Sequence, residues 1–325
     1  MSESVSEAPL VPETPVPAGA APGAPTVAPV AGVPVGPGAA GVTIGRKRSD
    51  FLYYGLRNKK LIFGLSVEAL LVLVAIIGPL IAKYSETSFN APLQHPGGTY
   101  WLGTDNLGHD VFSQLTHGMQ QSYLVGLIGA VSASIVGMLL GFTAGWRGGL
   151  LDEVLQMITN IVVMIPALVL LVVIGSYMTT RSVLFEGVFI GLTTWPWVAR
   201  AVRAQTFSLR SREFVDLAKL SGKRAPSIII KDIAPNMASY LFLVIILLFG
   251  SSILLAASYD FLGLGPTNVV SLGSMMNQAS LGAALFYKWW WWFIPPGLVL
   301  TAMVAALLVA NVGLDEVFNP KLREQ

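Results

Sequence analysis

Three histidines, His95, His109 and His117, share one stretch with Asp105 and Asp110, and imidazole with carboxylate is a ligand set that zinc accepts. Their spacing fits no helix-face pair, so solvated loop side chains are the simpler reading. Glu68 is the one charged residue inside the apolar run Leu61–Ala82, and carboxylates within a membrane span are often functional. It lies about 10 Å into that run at helical rise, near enough to the edge to pair with Lys59 or Lys60, which is the reading taken. Leu220-Ser221-Gly222-Lys223 superficially resembles a nucleotide site, but the glycine loop that cradles phosphate ahead of Gly-Lys-Ser/Thr is missing. No Ser, His and Asp combination suggests a nucleophilic site. With no cysteine in the chain, disulfides, thiolate-held zinc and a cysteine nucleophile are excluded. The reading is of a non-catalytic chain that binds no cofactor or metal itself.

The elements that must position these residues are those of a membrane protein. Hydrophobic side chains make up 54% of 325 residues, charged ones 12%, and mean hydropathy is +0.66, far from the balance of a soluble domain. Basic residues flank apolar runs rather than gather on a polar face, which argues against nucleic-acid binding. A helix crosses the ~30 Å hydrocarbon layer with ~20 mainly apolar residues. Six segments qualify, at about 61–82, 123–146, 154–178, 182–199, 237–259 and 289–314. The fold class expected is therefore all-α and polytopic, with six transmembrane helices in a domain of residues 61–325 behind a basic cytoplasmic segment at 46–60. Residues 1–45 carry nine of the twenty prolines and little that is large, the composition of a disordered tail. No signal-peptide pattern precedes Arg46, so the tail is expected to stay on the mature protein.

Six crossings put both termini on one side. Seventeen Lys and Arg flank the spans on the side of the termini and of the 200–236 loop, against Lys83, Arg181 and Lys288 on the other. Under the positive-inside rule both termini are cytoplasmic, in the cell (inner) membrane, and loops 83–122 and 260–288 face outward. Gly129, Ala133, Gly137, Gly141 and Gly145 recur at every fourth position of the second span, a row that lets another helix approach closely. Pro79, Pro166, Pro196 and Pro295-Pro296 are expected to kink their helices. Gln156, Thr159, Asn160 and Asn311 are candidates to line a pathway, or equally to make interhelical hydrogen bonds. Trp289 to Trp292 open the sixth span where indoles suit the membrane interface, with Trp291 and Trp292 also candidates to face the pathway.

The 200–236 loop is the informative segment. Ser211 is a plausible N-cap, Glu213 and Asp216 suit the positive end of a helix, Gly222 suits a left-handed stop, and Pro226 prevents continuation. Phe214, Leu217, Ala218 and Ser221 would share one face. So short a helix needs a surface to lie against, either this chain's own membrane domain or a socket on another subunit.

These residues resemble a known family, the inner-membrane permease subunits of binding-protein-dependent ABC importers of the dipeptide/oligopeptide type. The family's cytoplasmic signature is matched by Asp216-Leu217-Ala218, then Gly222, then Ala234-Pro235, with Leu217 in place of an Ala and Ala234 in place of a Leu. Trp195-Pro196, Ala199-Arg200, Val202-Arg203 and Arg212-Glu213-Phe214-Val215 follow the same pattern. Trp101 to Leu115 resembles the hallmark Leu-Gly-Thr-Asp, two residues, Gly-Arg-Asp, with His109 at the Arg position and Gln114 where Arg is common. Phe261-Leu262-Gly263-Leu264-Gly265, Pro296-Gly297-Leu298 and Gly313-Leu314 with Asn319-Pro320-Lys321-Leu322 extend the likeness over about residues 50–323.

The resemblance implies a type I ABC-importer permease fold in which the 211–222 segment is the coupling helix. Arg212, Glu213, Phe214, Asp216, Leu217, Ala218 and Gly222 would then meet an ATPase. It implies a homologous second permease, two ABC ATPase subunits carrying ATP and Mg, and an extracytoplasmic substrate-binding protein. The expected passenger is a di- or oligopeptide, with a short oligosaccharide stacked on the tryptophans second and nickel also carried within the family. An ion-gradient-driven secondary transporter is the remaining alternative, and it would call for more ionisable residues near the bilayer midplane.

Overall fold

The computed structural model describes residues 53–178 and 181–318. The tail of residues 1–45, Arg46 to Arg48 and the closing Asn319 to Leu322 motif lie outside the described residues. Among those described, regular structure is helical, apart from one isolated bridge between Thr104 and Asp110. The helices are α1 (Lys59–Ile81), α2 (Val111–Arg147), α3 (Gly149–Met164), α4 (Ala167–Tyr177), α5 (Val183–Arg210), α6 (Glu213–Leu220), α7 (Ala225–Ile228), α8 (Ala234–Asn236), α9 (Ala238–Phe261), α10 (Leu272–Leu281) and α11 (Trp290–Phe318), with a π-helical turn Ile229–Ile233 between α7 and α8.

Each of the six apolar segments falls on helix. Four helices, α1, α2, α9 and α11, are individually long and apolar enough to cross a membrane, and α3 with α4 makes a fifth candidate, bent by 79° at its break. The kink expected at Pro166 within the 154–178 span is thus a break between two helices. Pro166 has no N–H to continue the ladder, and Ile165 before it is driven to an extended conformation (φ −86°, ψ 120°). The prolines of α1, α5 and α11 stay inside continuous helices. α5 contains Glu186, Thr193, Thr194, Pro196 and Arg200, and is not among the helices that meet the length and composition criterion. It continues as one helix to Arg210, well beyond position 199, and α2 begins at Val111, ahead of position 123. The 260–288 loop contains α10, whose N-terminus is closed by a capping box between Ser271 and Ser274.

α2 is the central element. Its row of small residues lies along α5: a Cβ on Gly137 would fall 2.5 Å from Val198 Cβ, one on Gly141 2.7 Å from the Ala199 carbonyl oxygen, and one on Gly145 2.8 Å from that of Arg203. Ala133 is fully buried in the same seam, and Gly129 faces Ile190 and Ser252. α5 answers with its own pair, Gly187 against Ile128 and Gly191 against Ser132. The contact is thus made from both sides. α1 and α11 cross in the same manner, Gly64 against Ala306 and Ala310, and Gly313 against Leu61. Two apolar cores lie toward opposite ends of the bundle. One joins Met119, Leu272, Met275, Trp291, Trp292 and Met303, and the other joins Val198, Val202, Val215, Ala218, Ile228 and Ile233.

Overpacking such a seam costs ~1–3 kcal/mol. Gly141→Leu is expected to lower the thermal unfolding temperature in detergent. Gly250→Ala, whose methyl would meet nothing nearer than 3.8 Å, should leave it unchanged or raised. Equal melting of the G141L variant and the parent would contradict the close approach.

Candidate functional site

At the end of α5, Ser211 closes that helix and Arg212, in an extended conformation, precedes α6. The expectation of Ser211 as N-cap is corrected, because α5 runs eleven residues past position 199 and claims Ser211 as its own C-cap. Arg212 makes no side-chain cap bond, and the positive end of α6 is met instead by Glu213 and Asp216 in its first turn. Lys219 donates to Asp216 Oδ1 (2.9 Å). The helix stops at Gly222, whose φ of +74° is left-handed, while Gly222 N donates to Lys219 O (2.9 Å) and Lys223 N to Ala218 O (3.2 Å). These two bonds form the Schellman arrangement.

The buried face of α6 differs from the one expected. Val215 (0% exposed) and Ala218 (6%) carry it, packed with Ile228, Ile233 and Val202, while Leu217 is 64% exposed and Leu220 84%. Of the expected stripe of Phe214, Leu217, Ala218 and Ser221, Ala218 is buried while Leu217 and Ser221 face out, because α6 seats through Val215 and Ala218, whose small or β-branched side chains fit between α5 and the 225–237 segment. Phe214 is half-buried, and Lys219 lies over the Trp146 ring at the end of α2 (5.8 Å). Arg212, Glu213 and Asp216 remain exposed together with Leu217 and Leu220. A helix anchored by one face therefore presents a second face, apolar at its centre and charged at its edge.

Behind it, α5 is tied to α3 by side chains expected along a pathway. Arg203 makes a two-pronged ion pair with Asp152 (2.5 and 2.6 Å). In the amide orientation that satisfies both groups, Gln156 accepts from Arg203 as well (2.8 Å). Arg200 donates to Asn160 Oδ1 (2.7 Å), and buried Thr159 bonds within its own helix to Leu155 O (2.7 Å). Arg210 donates to the Trp146 carbonyl (2.7 Å), tying the ends of α5 and α2. Asn311 donates to Leu243 O (2.8 Å), joining α11 to α9. Gln156, Asn160 and Asn311 thus make interhelical ties in this structure, whereas Thr159 bonds only within α3.

Trp291 and Trp292 are 2% and 0% exposed, which corrects both the belt and the pathway reading for them. Trp291 Nε1 donates to Thr104 O (3.2 Å), its ring meets that of His95 (4.4 Å between centroids), and Trp292 packs over Gly282. Only Trp290, half exposed, keeps the expected character. The reason is that the end of α10 covers Trp292 and the segment around His95, Gly103 and Thr104 covers Trp291. Glu68 also departs from expectation: Lys60 pairs with Glu316 (2.5 Å), and Glu68 lies beside Tyr123 instead.

The 101–115 stretch is a folded clasp rather than a solvated loop. Asp105, fully buried, accepts from Leu107 N and His109 N (2.8 Å each) and meets His109 Nδ1 (2.7 Å). Thr104 accepts from Gln94 N and donates to Ala91 O (2.8 and 2.7 Å). Gly108, at φ +88°, lies where any Cβ would fall 2.1 Å from Asn90 O. Asp110 caps α2, and burial pushes its carboxyl above the usual carboxylate range, against the lowering effect of the Phe112 and Ser113 N–H groups. Among the described residues, no three His, Cys, Asp or Glu side chains gather so as to hold a metal.

Long apolar helices joined through small-residue seams, with a short amphipathic helix held at one end, are the architecture of a multi-pass membrane protein. Residues 137–324 match the family described as binding-protein-dependent transport system inner membrane component. The chain is 31% identical over 273 residues to the oligopeptide transport system permease protein OppC of Mycobacterium tuberculosis (strain ATCC 25618 / H37Rv), covering 82% of this chain and 92% of that protein. It is 30% identical to OppC of Bacillus subtilis (strain 168), over 82% of this chain and 87% of that protein. To the dipeptide transport system permease protein DppC of Alkalihalophilus pseudofirmus it is again 30% identical, over 82% and 88%. The chain belongs to the family of binding-protein-dependent transport system inner membrane components.

Removing two methyl groups from Val215 costs about 2 kcal/mol. Val215→Ala should therefore raise amide hydrogen exchange across α6, whereas Leu217→Ala, an exposed change expected within about 0.5 kcal/mol, should not. Equal exchange in the two variants would refute the assigned faces.

Proposed function

We propose that this chain is the transmembrane permease subunit of an ATP-driven importer of di- or oligopeptides, and that α6 is its coupling helix. Six crossings are made by α1, α2, the bent pair α3 and α4, α5, α9 and α11, with both termini in the cytoplasm. Two ABC ATPase subunits, which carry ATP and Mg, sit beneath, and a homologous second permease completes the pathway. Substrate arrives on an extracytoplasmic binding protein. The observation that carries this reading is the two-faced α6: Val215 and Ala218 fix it to the bundle while Leu217 and Leu220 are left bare beside Glu213 and Asp216. Exposed leucines at one end of a charged helix suit a partner's groove, where a few desolvated anchors supply most of the affinity. Seventeen basic flanking residues against three support a cytoplasmic position for that end.

Force applied to α6 has a route inward. α6 follows α5 after a two-residue corner, and α5 is one helix from Arg210 to Val183, locked along α2 and tied to α3 through Arg203 and Asp152. Closure of the ATPases would thus tilt α5 and α2 together rather than bend a loop.

The peptide passenger is favoured by the names of the relatives. The oligosaccharide alternative leaned on indoles free to stack, and Trp291 and Trp292 are covered.

Glu213→Lys and Gly222→Trp are each expected to cut substrate-stimulated ATP hydrolysis of the reconstituted complex by about tenfold, a ~1.4 kcal/mol loss of contact. Membrane insertion of the chain should stay normal. Co-purification of the ATPases should fall in parallel with hydrolysis, and unimpaired stimulation in both variants would rule out the coupling role.

A further inference from the structure

α3 stops at Met164 and α4 starts at Ala167, with Pro166 at the midpoint of the apolar run 154–178. Two main-chain bonds mark the break: Ile165 N donates to Val162 O (3.2 Å), and Leu170 N to Pro166 O (3.1 Å). The N–H groups of Ala167, Leu168 and Val169 come before that second bond, so α4 offers them no carbonyl, and no side chain caps this end. The Val163 and Met164 carbonyls likewise lack the N–H groups that a continuous helix would bring to them. A cavity of about 560 Å³ opens against this break, between it, α5, α9 and α11. Ile165, Pro166 and Ala167 line one side, and Thr194, Pro196 and Trp197 of α5 line another. Pro196 has no N–H for the Leu192 carbonyl, so two helices lose main-chain bonds at one cavity. Thr194 and Ser251, which also lines it, donate within their own helices to Ile190 O (2.8 Å) and Leu248 O (3.0 Å). Their oxygens can still accept. Among the described residues, no charged side chain lines the cavity.

Open main chain within a membrane span cannot face lipid, because hydrocarbon supplies neither donors nor acceptors; it is tolerated where it is buried in protein or lines water. Burial within this chain does not account for it, since Ile165 is 43% exposed and Trp197 49%. An acyl chain filling the cavity would bring no polar group. A helix of another subunit would arrive with its own main chain already bonded. Water brings both donors and acceptors, and so does an extended peptide, whose main chain alternates N–H and C=O.

We propose that this cavity is the stretch of the translocation path lined by this chain, and that it takes a peptide passenger by its main chain. The open carbonyls at the end of α3 accept from peptide N–H groups, and the free N–H groups at the start of α4 donate to peptide carbonyls. Apolar walls at Trp197 and Leu254 make room for side chains without reading their charge. The inference rests on the peptide-importer reading given above, and adds where the path runs in this chain and which part of the passenger it recognises. One wall belongs to α5, the helix that ends at α6, so tilting of α5 would change the width of the cavity.

The chain has no cysteine, so Thr194→Cys and Ser251→Cys each place a single thiol at the cavity, the second by exchange of one atom. Leu70→Cys places one on the exposed side of α1, at a position 59% exposed. The assembled complex in lipid nanodiscs is treated with a cationic, membrane-impermeant methanethiosulfonate, and labelling is read on this subunit. Because the thiolate is the reacting species and needs water, the thiols at positions 194 and 251 are expected to react about tenfold faster than the one at position 70. Ala-Ala-Ala, Ala-Lys-Ala and Ala-Glu-Ala should each slow that reaction, at concentrations within about threefold of one another, whereas trialanine N-methylated along its main chain should need about tenfold more. Labelling no faster than at position 70 in both cavity variants, the result of a lipid tail or a helix of the second permease filling the space, would overturn the proposal. Equal protection by the N-methylated peptide, or a strong preference for one charge, would overturn it too. ATP-driven uptake of trialanine by the parent complex in proteoliposomes, with the binding protein added, reports separately on the importer reading. Uptake without cavity labelling defeats the cavity alone, and labelling with protection but no uptake defeats the importer reading.

Discussion

Close backbone approach between α2 and α5 is the constraint on which the rest of this molecule depends. In lipid, helices gain nothing by hiding apolar side chains from one another, because the solvent is as apolar as they are. Association has to come from packing at short range and from interhelical hydrogen bonds. The row from Gly129 to Gly145 supplies the first, since the backbone carbonyls of Ala199 and Arg203 lie where any side chain on Gly141 or Gly145 would stand. Arg203 with Asp152, and Arg210 with the Trp146 carbonyl, supply the second. Both act on α5, the helix that ends at α6.

The two ends of the bundle use polar groups differently. Toward α6, basic side chains of α5 meet an acid, two amides and a carbonyl, and their charges are answered within the chain. At the other end the acid works on backbone instead: Asp105 accepts from Leu107 and His109 N–H and meets the His109 ring, and the neighbouring Thr104 carbonyl accepts from Trp291 Nε1 of α11.

Much of this architecture was legible in the sequence, for reasons that can be named. Apolar runs of membrane length located every long helix, because hydropathy reports the solvent directly. The small-residue row on α2 was visible as a period of four, and Gly222 as a helix stop. The partner of that row was not visible. Gly187 and Gly191 on α5 carry the answering signal, two glycines four apart, but a pair is too short a repeat to stand out. The bend at Pro166 was not foreseen as a break, since hydropathy does not distinguish a kink from a 79° turn. On α6, spacing put Ala218 on a face with Leu217, whereas tertiary packing buries Ala218 with Val215 and leaves Leu217 out. Amphipathic pattern identifies an apolar stripe, and a helix with two apolar stripes has no way of declaring which is buried.

On the coupling role proposed for α6, that ambiguity carries mechanical meaning. A coupling element must be fixed to its own subunit strongly enough to move it, and must also hold its partner. One apolar stripe cannot serve both contacts. In α6 the duties are divided between residues of different size: Val215 and Ala218, compact and fully covered, allow close seating on α5 and the 225–237 segment, while Leu217 and Leu220 extend outward. Burial of the small residues leaves the large ones without cover within this chain. Exposed leucines on an eight-residue helix would be a needless liability in a protein that kept this surface in water. Their persistence beside a charged rim, on a helix already stabilised by its Schellman stop and its seat on the bundle, is the arrangement expected of a lever that is covered in its working assembly.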